Sequence, residues 1–179
     1  MRLAIDVMGG DHAPDAILAG CIDALPCLGT DDCLILVGDE GVIRDTLRER
    51  SVRDDRVQVV HARQVIGMEE SPTRAVRAKP DSSIVELARL GSMRGGSVAD
   101  GVLSAGNTGA CVSAAIMHMK RLPHVHRPGI AVTIPAFHGP VVLCDAGANP
   151  EPRATHLWQY GVMAETYARR VLGIERPRV

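Results

Sequence analysis

Short apolar segments alternate with helical patterns along most of the chain, and this alternation constrains the fold more than any other feature. Nearly every apolar segment ends in Gly, Asp, Ser or Asn, as LAIDVM (residues 3–8) does before GGDH. Buried strands that lead into loops and then into helices are typical of a parallel α/β sheet. On the same grounds we predict further strands over residues 33–39, 56–62 and 99–106.

The predicted helices carry local start and stop signals. Pro14 marks the first turn of a helix over residues 13–25, and Ser71 followed by Pro72 predicts an N-cap and a first helical residue. A helix that starts at Ser82 and Ser83 closes on Gly91, and another follows Asn107 or Thr108, either of which can serve as its N-cap.

The last third of the chain has a different pattern. The strands predicted over residues 130–136 and 139–147 are joined by only Phe137 and His138, too few residues for a crossover, so we expect an antiparallel pair and a mixed sheet. A long amphipathic helix capped by Gly173 comes next, and ERPRV resembles the start of another strand. We therefore expect a single α/β unit over residues 1–179 that is incomplete at its C-terminus.

Composition excludes several functional classes. Aromatic residues make up only 2% of the chain, which disfavours a stacking platform for single-stranded nucleic acid. With 20 Lys and Arg against 21 Asp and Glu, no overall field attracts nucleic acid or anionic lipid, so any anion must be bound locally. The five cysteines suit reduced thiols, and without a signal peptide or membrane-spanning run in the sequence we expect a cytoplasmic protein.

Polar residues cluster at four predicted strand ends, within residues 6–14, 36–41, 103–110 and 144–152. In open α/β sheets the ligand crevice lies at the carboxyl ends of the strands. The segment VLSAGNTGA combines glycines with a helix start, whose free N–H groups and partial positive charge favour a phosphate or an oxyanion. Taken alone it is equally well explained as a capped turn, and neither GxxxxGK[ST] nor GxGxxG is present.

Titratable groups accompany two of these strand ends. Asp6 ends the first strand, and Asp11 and His12 precede a helix start, where an imidazole tends to stay neutral and able to act as a base. Helix capping is the simpler explanation of Asp11 and His12 taken alone. Asp145 occupies a similar position in CDAGANP, where Asn149 can donate a hydrogen bond from the loop.

Cationic partners for a phosphate are expected in residues 72–83. Arg74 and Arg77 share a helix face, and Ser82 and Ser83 begin the next helix, although a solvated basic face is the usual explanation of such a pattern.

Cys111 lies just inside a helix N-terminus, where its pKa would be lowered, and is the one thiol to consider as a nucleophile. Two groups match no metal-site spacing: Cys21, Cys27 and Cys33, and His118, His124 and His126.

Several long motifs in fixed order resemble the PlsX family of bacterial phosphate acyltransferases. They are DVMGGDHAP, LVGDE, VHARQVIGMEESPTRAVRAKPDSS, VLSAGNTGA, RPGIAVTIP and LCDAGANPEPRATHLWQYGVMAETYA, and the resemblance runs from Arg2 to Val179. It implies transfer of a fatty acyl group from acyl carrier protein to inorganic phosphate, giving acyl phosphate for glycerophospholipid synthesis. It further implies a fold similar to that of isocitrate and isopropylmalate dehydrogenases, a homodimer and peripheral membrane association. No metal or other cofactor is implied, and this chain would be the N-terminal half of such an enzyme.

The residues can be given roles on this basis. The loops from Gly9 and Gly10 to His12, and from Ser104 through Gly106 to Thr108, would supply donors for the phosphate and the thioester carbonyl. Arg77, Ser82, Ser83 and Asn149 would add phosphate contacts, while Asp6, His12, Asn107 and Asp145 are the catalytic candidates. Two alternatives remain open: a nucleotide-dependent dehydrogenase of the same fold, and a non-catalytic module that docks acyl carrier protein through Lys120, Arg121 and Arg127.

Overall fold

A computed structural model describes residues 1–93 and 98–179 of the chain. Its contacts divide the chain into two compact units, Met1–Lys120 and Arg121–Val179. None of the helices in the described ranges combines the length and the apolar character needed to span a membrane. The two units are described separately below.

The first unit alternates strands and helices as the sequence predicts. Its strands are β1 (Arg2–Asp6), β2 (Cys33–Gly38), β3 (Val57–His61) and β4 (Gly101–Leu103). Its helices are α1 (Asp15–Ala24), α2 (Glu40–Glu49), α3 (Pro72–Ala78), α4 (Ser83–Leu90) and α5 (Thr108–Ala114), and α5 continues as a wider π-type turn over Ala115–Met119.

The four strands form one parallel sheet in the order β3-β2-β1-β4. In the register of β1, Ala4 pairs with Ile35 of β2 on one side and with Val102 of β4 on the other. Because all four strands run the same way, their carboxyl ends lie along one edge of the sheet. The loops after β1 and β4 are therefore neighbours on that edge.

Helices cover both faces of this sheet. Along β2, Leu34 and Leu36 belong to one apolar cluster with residues of α1 and α2, whereas Ile35 and Val37 belong to a second cluster with Leu87 of α4. Successive side chains of a strand point to opposite faces, so a strand buried on both faces reads as a continuous apolar run. The α/β class predicted from the sequence is confirmed, and the sheet of this unit lies between two layers of helices.

The helices α3, α4 and α5 pack on one another through a third cluster. Small residues allow the close approach: Ala75, Ala88, Ala110 and Ala114 are all buried here. Gly109 lies against the start of α3, since a Cβ atom at Gly109 would be 2.5 Å from Cγ of Pro72. The N-terminus of α5 is thereby held beside the N-terminus of α3.

The second unit contains an antiparallel hairpin and one long helix. Strands β5 (Ala131–Ala136) and β6 (Gly139–Cys144) pair as predicted, and α6 (Ala154–Arg170) is followed by Gly173 at φ +69°. The hairpin forms a two-stranded sheet of its own, which differs from the mixed sheet expected from the sequence. Pairing across a two-residue turn depends on local contacts, whereas joining the parallel sheet would require long-range ones.

Candidate functional site: the corner between β1 and β4

The loops that follow β1 and β4 meet in direct backbone contact. A Cβ atom at Gly9 would lie 3.0 Å from Cα of Gly106 and would also clash with Oδ2 of Asp6. The reciprocal test at Gly106 places a Cβ 3.1 Å from Cα of Gly9. Only glycines permit this approach at both positions, so the two loops form one corner, which we call the β1/β4 corner.

Asp6 is fully buried at the base of the β1/β4 corner and is held by groups from both loops. Its Oδ2 accepts a hydrogen bond from Oγ of Ser104 at 2.7 Å, and its Oδ1 accepts one from the N–H of Met8 at 3.1 Å. Oγ of Ser104 in turn accepts the N–H of Gly106 at 3.1 Å. A buried carboxylate needs such donors, because an unpaired charge in the interior is strongly destabilising.

Gly10 is the second glycine that the loop after β1 requires. Its φ of +124° lies in a region that L residues rarely adopt, and a Cβ there would also lie 3.3 Å from the side chain of Ala105. The backbone therefore turns sharply at Gly10 and exposes Asp11 and His12 to solvent. In the described structure the His12 imidazole has no hydrogen-bond partner, which leaves both ring nitrogens accessible.

Asn107 holds the loop after β4 through hydrogen bonds of both its side-chain oxygen and its side-chain nitrogen. Its Oδ1 accepts the N–H of Ala110 at 3.0 Å and so caps α5, as the sequence predicts. Its Nδ2 donates to the carbonyl oxygens of Gly67, Met68 and Glu70 at 3.1–3.2 Å. Because these contacts use the whole amide, the geometry favours a positioning role for this buried side chain. Thr108, the first residue of α5, is exposed.

The segment that Asn107 contacts has its own support. Oε1 of Glu70 accepts the N–H of Gly67 at 2.7 Å and the Nζ of Lys79 at 2.6 Å, while Lys79 also donates to the carbonyl of Val65 at 2.7 Å. The hydrogen bond from Lys79, followed by the one from Gly67, lowers the pKa of Glu70. Residues 65–70 therefore form a buttress for the β1/β4 corner.

The predicted phosphate contacts on α3 and α4 differ in accessibility. Arg77 is exposed and shares with Arg74 a surface depression of about 530 Å³ on α3. Ser82 and Ser83, at the start of α4, are 0% and 1% exposed, and within the described residues neither hydroxyl has a hydrogen-bond partner. An unsatisfied buried hydroxyl is costly, so both could serve a polar group that reaches this helix start.

Asp145 and Asn149 lie in the second unit, where they form a closed network. Asp145 accepts the N–H groups of Ile130, Ala148 and Asn149 at 2.8–3.0 Å and the Nδ2 of Asn149 at 2.9 Å. Burial acts to raise the pKa of Asp145, but these donors outweigh it and the pKa is lowered. Asn149 also donates to the hydroxyl of buried Tyr160 at 2.8 Å. These bonds suit a carboxylate that orients its loop.

The whole chain matches a known family. A family model described as fatty acid synthesis protein covers residues 1–179. The chain belongs to this family. It is 42% identical over 184 residues to a phosphate acyltransferase of Leptospira biflexa, with 100% of this chain and 52% of the relative covered. It is 44% identical to phosphate acyltransferases of Exiguobacterium sibiricum and Desulforamulus reducens, with 100% of this chain and 53% and 52% of those relatives covered. The chain thus spans about half the length of these curated relatives.

In this member of the fatty acid synthesis protein family, the pKa of one thiol differs from the prediction. The prediction of a lowered pKa for Cys111 is wrong: burial raises the pKa of this thiol, despite a hydrogen bond with Ser104 that acts to lower it. The packing of α5 against α3 and α4 removes the thiol from water, and desolvation outweighs the helix N-terminus. Among the described residues, no three His, Cys, Asp or Glu side chains converge as a metal site requires.

The residues 65–70 and Lys79 were not singled out from the sequence. The role of this segment depends on hydrogen bonds from Asn107. Asn107 lies 40 positions after Gly67 in the chain, so no local pattern links the two residues. The one sequence signal is the segment QVIGMEESPTR, which lies inside a family motif but carries no chemistry recognisable by residue type.

Proposed function

We propose that the chain provides the phosphate and thioester site of a phosphate acyltransferase, which transfers a fatty acyl group from acyl carrier protein to inorganic phosphate. The observation that carries this proposal is the β1/β4 corner, where two glycine-rich loops and the capped start of α5 surround the buried Asp6 and its half-buried partner Ser104. The family and the names of the relatives support the same reaction.

The corner supplies neutral donors where the reaction needs them. Attack of phosphate on a thioester creates negative charge on the carbonyl oxygen, and preorganised N–H groups stabilise that charge. We assign this role to the backbone between Gly9 and Asp11 and to the start of α5 at Thr108. Asp6 acts as a positioning residue, because its hydrogen bond fixes Ser104 and, through it, the N–H of Gly106.

The proton inventory of the reaction is simple. An oxygen of hydrogen phosphate attacks the carbonyl carbon, the carbon–sulfur bond breaks, and the remaining phosphate proton passes to the departing thiolate. We assign this transfer to His12, whose imidazole is exposed at the corner and carries one nitrogen that can accept a proton and one that can donate it. A thiolate is a good leaving group, since a thiol has a pKa of about 8.5.

Further parts of the proposal concern residues outside the corner. Arg77 would draw phosphate to the adjacent surface of α3, and the hydroxyls of Ser82 and Ser83 would take oxygens at the start of α4. In the second unit, Asp145 remains a catalytic candidate and Asn149 a candidate phosphate contact. Acyl carrier protein, an acidic partner, would dock on basic residues that include Lys120, Arg121 and Arg127. We also propose that the full-length protein is a cytoplasmic homodimer that makes peripheral contact with the membrane.

Formation of acyl phosphate from acyl-carrier-protein thioester and inorganic phosphate tests the function in the full-length protein. We expect His12→Ala to lower kcat by roughly 10²-fold or more, the ordinary contribution of a positioned general acid–base. Arg48→Ala, on the exposed surface of α2, is the matched control and should retain the parent rate. Absence of acyl phosphate from the parent protein would refute the function, and an unchanged rate for His12→Ala would refute its role.

The same assay separates the two alternatives. A docking module would bind acyl carrier protein without forming acyl phosphate, and a dehydrogenase would change nicotinamide absorbance with a hydroxy acid. The names of the relatives favour neither alternative.

A further inference from the structure

Four basic side chains converge where α6 begins, within the second unit. His126 and Arg127 lie in the segment before β5, while Arg153 and His156 lie at the start of α6. The imidazole rings of His126 and His156 have centroids 6.4 Å apart and meet at an angle of 76°. Of the four, only His156 is half-buried, so a ligand can reach the others from solvent. We call these four side chains the α6 basic cluster.

Hydrogen bonds of Gln159 and Asn149 hold the cluster in place. Oε1 of Gln159 accepts the N–H of His126 at 2.9 Å, and its Nε2 donates to the carbonyl oxygen of His124 at 2.7 Å. Nη1 of Arg127 donates to Oδ1 of Asn149 at 3.3 Å. The segment before β5 is thus fixed against α6 before any ligand binds, which lowers the entropy cost of binding.

The positive charge of the cluster is not neutralised locally. Within the described residues, none of its four side chains forms an ion pair. Asp145, the acid of the neighbouring loop, already accepts hydrogen bonds from donors of its own surroundings. Desolvation is the largest cause that lowers the pKa of His156, and the charges of the other three cluster members lower it further. Gathered charge of one sign favours a bound anion.

The donors of the cluster suit a phosphate group. Nδ1 of His156 accepts the backbone N–H of Arg153 at 3.2 Å, so the proton of the neutral imidazole is on Nε2, which can donate it in a hydrogen bond. Guanidinium groups donate in pairs to phosphate oxygens. A phosphate group presents more oxygens than a carboxylate, so four donor side chains match it better.

We propose that the α6 basic cluster binds a phosphate group of the acyl-transfer reaction. The proposal rests on the proposed function, which brings two such groups: inorganic phosphate, and the phosphodiester that attaches the acyl-bearing arm to acyl carrier protein. It adds His126, Arg153 and His156 to the residues that contact a substrate. An acidic protein surface without a phosphate group is the competing occupant, because Arg127 also belongs to the docking residues proposed above.

Protection of arginines from phenylglyoxal, mapped on peptides by mass spectrometry, tests the site in the full-length protein. The probes are inorganic phosphate and acyl carrier protein that bears its phosphodiester-linked arm. We expect a saturating phosphate group to slow modification of Arg127 and Arg153 roughly ten-fold. Arg170, exposed at the other end of α6, is the internal control and should react at its original rate. Chloride at equal ionic strength should protect none of them, which separates binding from screening.

The probes also identify the source of the phosphate group. Protection by inorganic phosphate assigns the site to that substrate. Protection by the arm-bearing carrier protein alone, and not by carrier protein without the arm, assigns it to the phosphodiester. Equal protection by both forms of carrier protein, with none by inorganic phosphate, would show that an acidic surface occupies the cluster and would overturn the proposal. So would the absence of protection by every probe.

Variants give the second measurement. Arg153→Gln should raise the ligand concentration that half-protects Arg127 roughly ten-fold, because a charge-assisted hydrogen bond is lost. His126→Gln, at an exposed side chain, should raise it several-fold. Arg170→Gln is the matched control on the same helix and should behave as the parent does. Equal half-protecting concentrations in all three variants would contradict the proposal. Protection in a protein that forms no acyl phosphate would refute the reaction alone and leave the phosphate site standing.

Discussion

Replacement of Asn107 by alanine should destabilise the first unit by more than the loss of a helix cap. The cap itself, the bond from the Ala110 N–H to Oδ1, contributes about 1 kcal/mol to the free energy of unfolding. The amide has two further hydrogens, shared among three carbonyl oxygens of residues 67–70, and each satisfied donor adds about 1 kcal/mol. We therefore expect Asn107→Ala to cost about 3 kcal/mol.

Asp39→Ala provides the matched control, because Asp39 caps α2 through the N–H of Val42 at 3.0 Å and is itself exposed. That variant should lose only about 1 kcal/mol. Asn107→Asp is informative in a different way, since Asp is as good an N-cap as Asn but cannot donate to the three carbonyls. It should remain clearly less stable than the parent protein.

Urea unfolding followed by circular dichroism measures these differences, and hydrogen exchange locates them. In Asn107→Ala the amides of residues 67–70 should exchange faster than in Asp39→Ala. The reason is that the variant lacks the hydrogen bonds that hold residues 67–70 to the β1/β4 corner. Equal losses of stability in the two alanine variants, with unchanged exchange at residues 67–70, would refute the assignment of the amide as a tie between the segments.

Three further predictions concern the corner and its surroundings. Gly9→Ala should destabilise the protein by about 1–3 kcal/mol, because its Cβ would clash with Oδ2 of Asp6, whereas Gly20→Ala, with no atom within 4 Å, should stabilise helix α1 by about 0.5–1 kcal/mol; thermal melting compares the pair. Ser104→Ala leaves Oδ2 of the buried Asp6 without its Ser104 donor and should cost about 1–3 kcal/mol, while Ser113→Ala on the partly exposed surface of α5 should change the urea midpoint little. The side-chain and backbone hydrogen bonds from Arg56 lower the pKa of Asp54 from 3.8 to about 2, so Asp54 stabilises the fold above about pH 4 and loses this effect as pH falls toward 2. The stability difference between parent and Asp54→Asn should shrink over that pH range, and a difference independent of pH would contradict the ion pair.

Local signals account for the elements that the sequence predicts correctly. The run CLILV identifies β2 as a strand buried on both faces, and Ser71 with Pro72 marks the start of α3. The turn of two residues between β5 and β6 predicts their antiparallel pairing. Each of these depends on residues a few positions apart, so periodicity and turn chemistry suffice.

Burial reverses the expectations that depend on packing. Cys111 has the position of an activated thiol at a helix N-terminus, yet the contacts of α5 with α3 and α4 raise its pKa. Ser82 and Ser83 look like exposed helix-start residues but are almost fully buried. Desolvation is the sum of contacts from several distant segments, and no local pattern reports it.

The sequence by itself determined the parallel α/β layout of the first unit, the hairpin and long helix of the second, and the loops that hold candidate chemistry. Only the tertiary structure decided that Ser104 bonds to Asp6 across 98 positions, that Asn107 ties residues 67–70 to α5, and that four basic side chains converge at the start of α6. Periodicity and capping act within one or two turns of chain. Hydrogen bonds and side-chain clusters between distant segments exist only once the hydrophobic core has fixed where those segments lie.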